Sequence, residues 1–170
     1  MDSGFTITNA DKFAAMLRRK SAAVSAANDK TAHMIAMDAE RQIKEELSKQ
    51  GHGIIYYKKR QGESHAKRKL PSGGFSRGGY IAHRASAPGE PPAPDTGRLR
   101  GTTQALVLIG GNNSREILIR SGDYEAKYAR ALEKGTAHIE PRPFFDITIK
   151  ANMAKWIGWW KSNVAGAWSK

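Results

Sequence analysis

The chain contains no cysteine. That excludes disulfides and thiolate metal sites, and it fits a reducing compartment. No apolar run approaches the roughly 18 residues that a membrane span needs. The first fifteen residues carry Asp2 and Asp11 and lack the basic-then-apolar plan of a signal peptide, so no leader is expected. No Gly-x-x-x-x-Gly-Lys phosphate loop occurs. Acidic residues are scarce: 16 Asp and Glu stand against 28 Lys and Arg, a formal net charge of +12 over 170 residues. Such a balance suits nucleic acid, an anionic membrane surface or acidic protein as partner, and charge alone does not choose among them. The length fits one domain with a modest core.

Pattern supplies the elements. Residues 9 to 27 are Ala-rich with Phe13, Leu17 and Val24 near one face, and Asn9 is a candidate N-cap. Asp29 is expected to cap a second helix running to about Gln50, with Ala32, Ile35, Ala36, Ala39, Ile43 and Leu47 at helical spacing and Gly51 as its stop. Ile54 to Lys58 reads as a short strand. Between Lys59 and Pro94, Gly, Pro, Ser, Lys and Arg dominate and large aliphatics are nearly absent. That composition predicts an extended basic arm, which orders only by laying across neighbouring subunits. A short helix near Arg98 to Thr103 follows, capped by Asp95 or Thr96. Then come strands at Ala105 to Ile109 and Glu116 to Arg120 around a Gly-Gly-Asn-Asn turn, and a helix from Asp123 to Lys134. The last helix runs from Phe144 to about Trp160, with Ile149, Met153, Trp156, Ile157 and Trp160 on its apolar face and a break at Gly166. No repeat or sustained heptad is visible. The expected fold is α+β: a small, mostly antiparallel sheet packed on two longer helices, with the extended basic Gly/Pro-rich arm.

Reactive constellations are thin. Gly74-Phe-Ser76-Arg-Gly78 matches the nucleophile-elbow spacing, but that chemistry needs a strand before the serine and a helix after it. The flanks here are Gly- and Pro-rich. His33, His52, His65, His83 and His138 show no metal-ligand spacing. His138 has Glu140 and Asp146 nearby in sequence, yet a catalytic triad also requires a positioned nucleophile. No enzyme activity, cofactor or metal is therefore expected. The arm interleaves Lys58, Lys59, Arg60, Lys67, Arg68, Lys69, Arg77 and Arg84 with Tyr56, Tyr57, Phe75 and Tyr80. Cations that neutralise phosphates beside aromatics that stack on bases suit single-stranded nucleic acid. A solvated arm, or one docked on acidic neighbours, explains the same pattern. Trp159 falls off the apolar face of the last helix and Trp168 lies beyond Gly166, which makes both candidates for a protein interface.

Two segments carry more information than composition. The first is Ala87-Pro-Gly-Glu90-Pro91-Pro92-Ala-Pro94-Asp95-Thr96-Gly97-Arg98-Leu99-Arg100. The second is Tyr128-Ala-Arg-Ala-Leu132-Glu133-Lys134-Gly135-Thr136, followed by Pro141-Arg142-Pro143-Phe144-Phe145. In this order they resemble the head–tail joining, tail-completion (neck) proteins of tailed bacteriophages. The detailed resemblance covers roughly residues 87 to 150. Lys134 departs from it, since an aromatic or apolar residue is usual there. The resemblance implies a structural virion protein in a hexameric ring at the head–tail interface, assembled in the host cytoplasm. Its implied partners are the head connector or stopper and the tail terminator or tail tube, with DNA close by in the lumen and no membrane. Arg68, Arg77, Arg84, Arg98, Arg142, Phe144, Phe145, Trp159 and Trp168 are the candidate contacts to neighbouring subunits. The runner-up reading is a basic nucleic-acid-binding or nuclease-like module.

Overall fold

A computed structural model of the chain describes residues 9–59, 80–111, 114–122 and 128–169. The fold is α+β, as the periodicity implies. Its elements are α1 (Ala10–Glu46), β1 (Ile55–Lys59), β2 (Tyr80–Arg84), α2 (Arg98–Gly101), β3 (Gln104–Ile109), β4 (Arg115–Arg120), α3 (Ala129–Lys134) and α4 (Phe145–Ser169). The strands form two separate antiparallel pairs, β1–β2 and β3–β4. The chain divides into two compact units. The first comprises residues up to Arg41, Gln104–Arg120 and Ile149 onward; the second comprises Gln42–Thr103 and Ser121–Thr148.

In the first unit, α1 is one uninterrupted helix where the sequence suggests two. Asp29 does not start a helix; its carboxylate binds the Arg115 guanidinium on β4. The Ala-rich stretch on either side carries the helix through. Asn9 does open it, its carbonyl accepting the Phe13 amide at 3.1 Å. Lys20, Asn28, Thr31 and Asp38 of α1 bond to Trp168, Trp160, Asn163 and Trp156 of α4 respectively. From Lys20–Trp168 at one end to Asp38–Trp156 at the other, the numbers run in opposite senses, so the two helices run antiparallel. Asp29 and Glu40 of α1 hold the β3–β4 hairpin. Ala32, Ala36 and Ala39 are buried, and such small side chains let a neighbouring layer approach closely.

Helix α4 continues through Gly166 to Ser169, so the expected break is absent. Trp156 is buried, but Trp160, assigned to the same buried face, is 45% exposed. Its indole instead reaches along α1 to Asn28 Oδ1 at 3.0 Å. Phe13 and Leu17, near one face of α1, are exposed.

In the second unit, β1 and β2 pair from Ile55↔Arg84 to Lys59↔Tyr80. The end of the expected arm is thus a strand, and its continuation through Pro94 packs locally. Residues 60–79 of that arm lie outside the described residues. Gly51 is not the cap that ends α1. It is buried where a Cβ would meet the Ala85 carbonyl oxygen at 2.3 Å, a close backbone approach that only glycine permits. Phe144, Ile43, Leu47 and Leu99 form the apolar interior of this unit.

Candidate functional site

The two segments that carry the family resemblance come together in the second unit. Helix α3 ends at Gly135, whose φ of 75° and ψ of 176° fall in a region essentially reserved for glycine. A Cβ there would also stand 2.9 Å from the Ile139 carbonyl oxygen. Thr136 and Ile139 then close a tight turn through paired backbone bonds. Two residues before Gly135, Glu133 reaches forward to α4. Its carboxylate accepts the amides of Phe144, Phe145 and Asp146 at 2.9, 3.0 and 2.9 Å. Three of the four orphan donors at a helix start are satisfied by this one side chain, and its charge faces the positive end of the helix dipole. Pro141 and Pro143 preset the chain between these two points.

Arg142 ties the other segment in. Its amide donates to the Leu132 carbonyl at 2.7 Å and its Nη1 to Ser86 Oγ at 2.7 Å. Its Nε is buried with no hydrogen-bond partner among the described residues. Gly89 donates to the Pro141 carbonyl at 3.2 Å. Glu90 accepts the amides of Ala87 and His52 at 2.9 and 3.0 Å, and its other oxygen meets His52 Nδ1 at 2.9 Å. These bonds, the Ala87 amide foremost, hold the Glu90 carboxyl below the usual carboxylate range.

A groove of about 680 Å³ opens among these turns. Its walls include Tyr56, His83, Pro92, Pro94, Asp95, Arg98, Leu99, Arg100, Tyr128, Leu132 and Arg142. Tyr56 and His83 meet edge to face with centroids 4.9 Å apart, and His83 Nδ1 lies 3.9 Å from Asp95 Oδ1. Arg100 donates to Ser48 Oγ at 3.1 Å. Three guanidinium groups against one carboxylate favour an anionic group on a partner. Nucleophilic chemistry has less support. Ser86 Oγ is engaged by Arg142, and no described hydrogen bond joins it to His83. His138 is exposed and forms no described bond to Glu140 or Asp146. Asp146 pairs instead with Lys134 at 3.1 Å. Among the described residues, no group of three or more His, Asp and Glu side chains could hold a metal ion. No described helix is long and apolar enough to cross a membrane.

The expected contact residues separate. Arg98 and Arg142 line the groove. Phe144 is 2% exposed, so it is a core residue with no face to offer a neighbour. Phe145 is half-buried and stands edge-on to it at 6.3 Å. Arg84 is exposed at the end of β2. Trp168 is 56% exposed, with Lys20 Nζ 5.8 Å from its ring centre. Trp159 is half-buried beneath Lys155, 5.2 Å from its ring centre. Arg68, Arg77 and the Ser76 motif lie outside the described residues.

Sequence reasoning did not foresee the locking roles of Glu133, Glu90, Ser86 and Asp38. Asp38, in the first unit, accepts from Trp156 Nε1 at 2.7 Å and Arg41 at 2.7 Å, and pairs with Lys155 at 2.5 Å. Burial pushes its carboxyl up, but the bonds from Lys155, Trp156 and Arg41 outweigh this and lower it to about 2. A lone acid at helical spacing reads as surface charge unless its partner over a hundred residues away is known. No family model, curated protein or solved structure matches the chain.

Proposed function

We propose that this chain is a structural virion protein of a tailed phage, one subunit of a ring in the neck that completes the tail and joins the head connector to the tail tube. One observation carries the reading. The two segments that carry the resemblance, from Pro88 to Arg100 and from Glu133 to Phe145, act together as locks on turns and on the start of α4. Segments that fix shape suit a protein that works by assembly. The basic groove with Arg98, Arg100 and Arg142 supports an acidic surface on a neighbouring subunit or ring as its contact.

Sedimentation and negative-stain imaging of the purified protein at low and high salt test this. A closed ring that persists at high salt is the expected outcome. A monomer that binds DNA with a steep salt dependence would replace the neck reading with that of a nucleic-acid-binding module.

A further inference from the structure

The β3–β4 hairpin is apolar on both sides. Antiparallel strands with one solvated face normally alternate apolar and polar residues, whereas near-continuous apolar runs mark strands covered on both faces. Here Ala105-Leu-Val107 pairs with Ile117-Leu-Ile119, and Leu108 and Ile109 pair with Glu116 and Arg115. Ala105, Val107, Ile117 and Ile119 are half-buried, on the side of α1. Leu106, Leu108 and Leu118 point the other way and are 42–43% exposed. The hairpin packs one side on α1, and among the described residues these leucines leave its other side without a covering layer.

We propose that the same face of a second copy supplies that layer, across a two-fold axis. The charges around the leucines carry the choice of partner. On β4, Glu116, Leu118 and Arg120 share the outer face at every second position. Arg120 leans toward Gln104 on β3 at 2.9 Å, and Glu116 stands opposite Leu108. An axis crossing the strands at Leu118 sets each β4 antiparallel over its copy. Leu118 then meets Leu118, Leu106 meets Leu106, and both Glu116 side chains face the other copy's Arg120. The alternative, with the axis along the strands, lays Glu116 over the other copy's Leu108 and leaves the carboxylate without a cation. Aligned sheet packing at about 10 Å accommodates the first arrangement. Such a contact uses one patch twice, while a head-to-tail ring uses two different patches, so this inference does not rest on the proposed neck role.

The test uses the full chain. Its lack of cysteine makes Leu118→Cys a unique thiol, and a short bis-maleimide should link it rapidly into a covalent dimer. Ser48→Cys, exposed elsewhere, should link poorly. Glu116→Arg or Arg120→Glu alone sets like charges across both contacts and should weaken dimerisation by about tenfold or more. An equimolar mixture of the two variants should regain it, because each then meets its complement. Circular dichroism confirms that each variant folds. Absence of selective crosslinking at position 118 would overturn the proposal. So would a mixture no better than its components, which would point to a different protein as the cover. A wild-type protein that forms no ring but still crosslinks at 118 would sink the neck reading and leave this contact standing.

Discussion

The two units bury different kinds of residue and are held by different kinds of bond. The first packs small and polar groups around the Trp156 ring: Ala32, Ala36, Ala39, Thr31 and Asp38. Side chains from one helix grip side chains of another, as Asp38 grips Trp156 and Thr31 meets Asn163 at 2.9 Å. The second buries Phe144, Ile43, Leu47 and Leu99, and its carboxylates grip backbone amides, as Glu133 and Glu90 do. Long helices satisfy their own backbone and need only be aligned. A unit made of turns has many amides left over, and acidic side chains take them up. Three of the scarce acids of this basic chain, Asp38, Glu90 and Glu133, thus each satisfy several donors.

The largest effect should come from removing Phe144, which is fully buried among the described residues of the second unit. Phe144→Ala is expected to cost about 3–5 kcal/mol in urea unfolding, and half-buried Phe145→Ala clearly less. Equal losses would mean that Phe144 is not the anchor. Glu133→Ala strands three amides and should cost about 2–4 kcal/mol, with Glu133→Gln recovering part of it. A loss below about 1 kcal/mol would show that water serves these amides equally well, and would erase the contrast between the units.

In the first unit, Asp38→Ala leaves the Trp156 indole without its acceptor and should cost about 2–3 kcal/mol at neutral pH. The sign of its pH dependence follows from a carboxyl lowered from 3.8 to about 2. The stabilisation is complete well above pH 4, declines as the pH falls toward 2, and is gone below that. The stability gap between wild type and Asp38→Ala should therefore close over that window; a gap constant from pH 7 to 2 would contradict the assignment. At the small end, the Lys134–Asp146 pair is largely exposed on the Lys side. Lys134→Ala should change stability by less than about 0.5 kcal/mol.

Local signals were legible in the sequence and distant ones were not. The β3–β4 hairpin, the start of α1 at Asn9 and the turn at Gly135 each announce themselves within a few residues. Strand β2 did not, because Tyr80–Arg84 follows a long Gly-rich stretch and gains its identity only by pairing with β1. Asp29 has the chemistry of an N-cap, and only Arg115, 86 positions on, diverts it. Gly51 looks like a helix stop until the Ala85 backbone is placed beside it. For the candidate site, two aromatics after a preset Pro-Arg-Pro turn are legible as the anchor of α4, and Phe144 is buried. The bond from Arg142 to Ser86 is not legible, because the two lie 56 positions apart.

The grip of Glu133 on α4 also bears on the order in which the chain folds. The first amide it takes lies eleven residues ahead of it. The 25-residue helix α4 is thus started by a side chain that belongs to another element. Until α3 has formed and Gly135 has turned the chain, the first turn of α4 has only water for its amides. Its N-terminal end should therefore set late on the path to the native state, after the α3 turn. Phe144 and Glu133 substitutions would then speed unfolding more than they slow folding, while substitutions at the other positions of α3 would do the reverse.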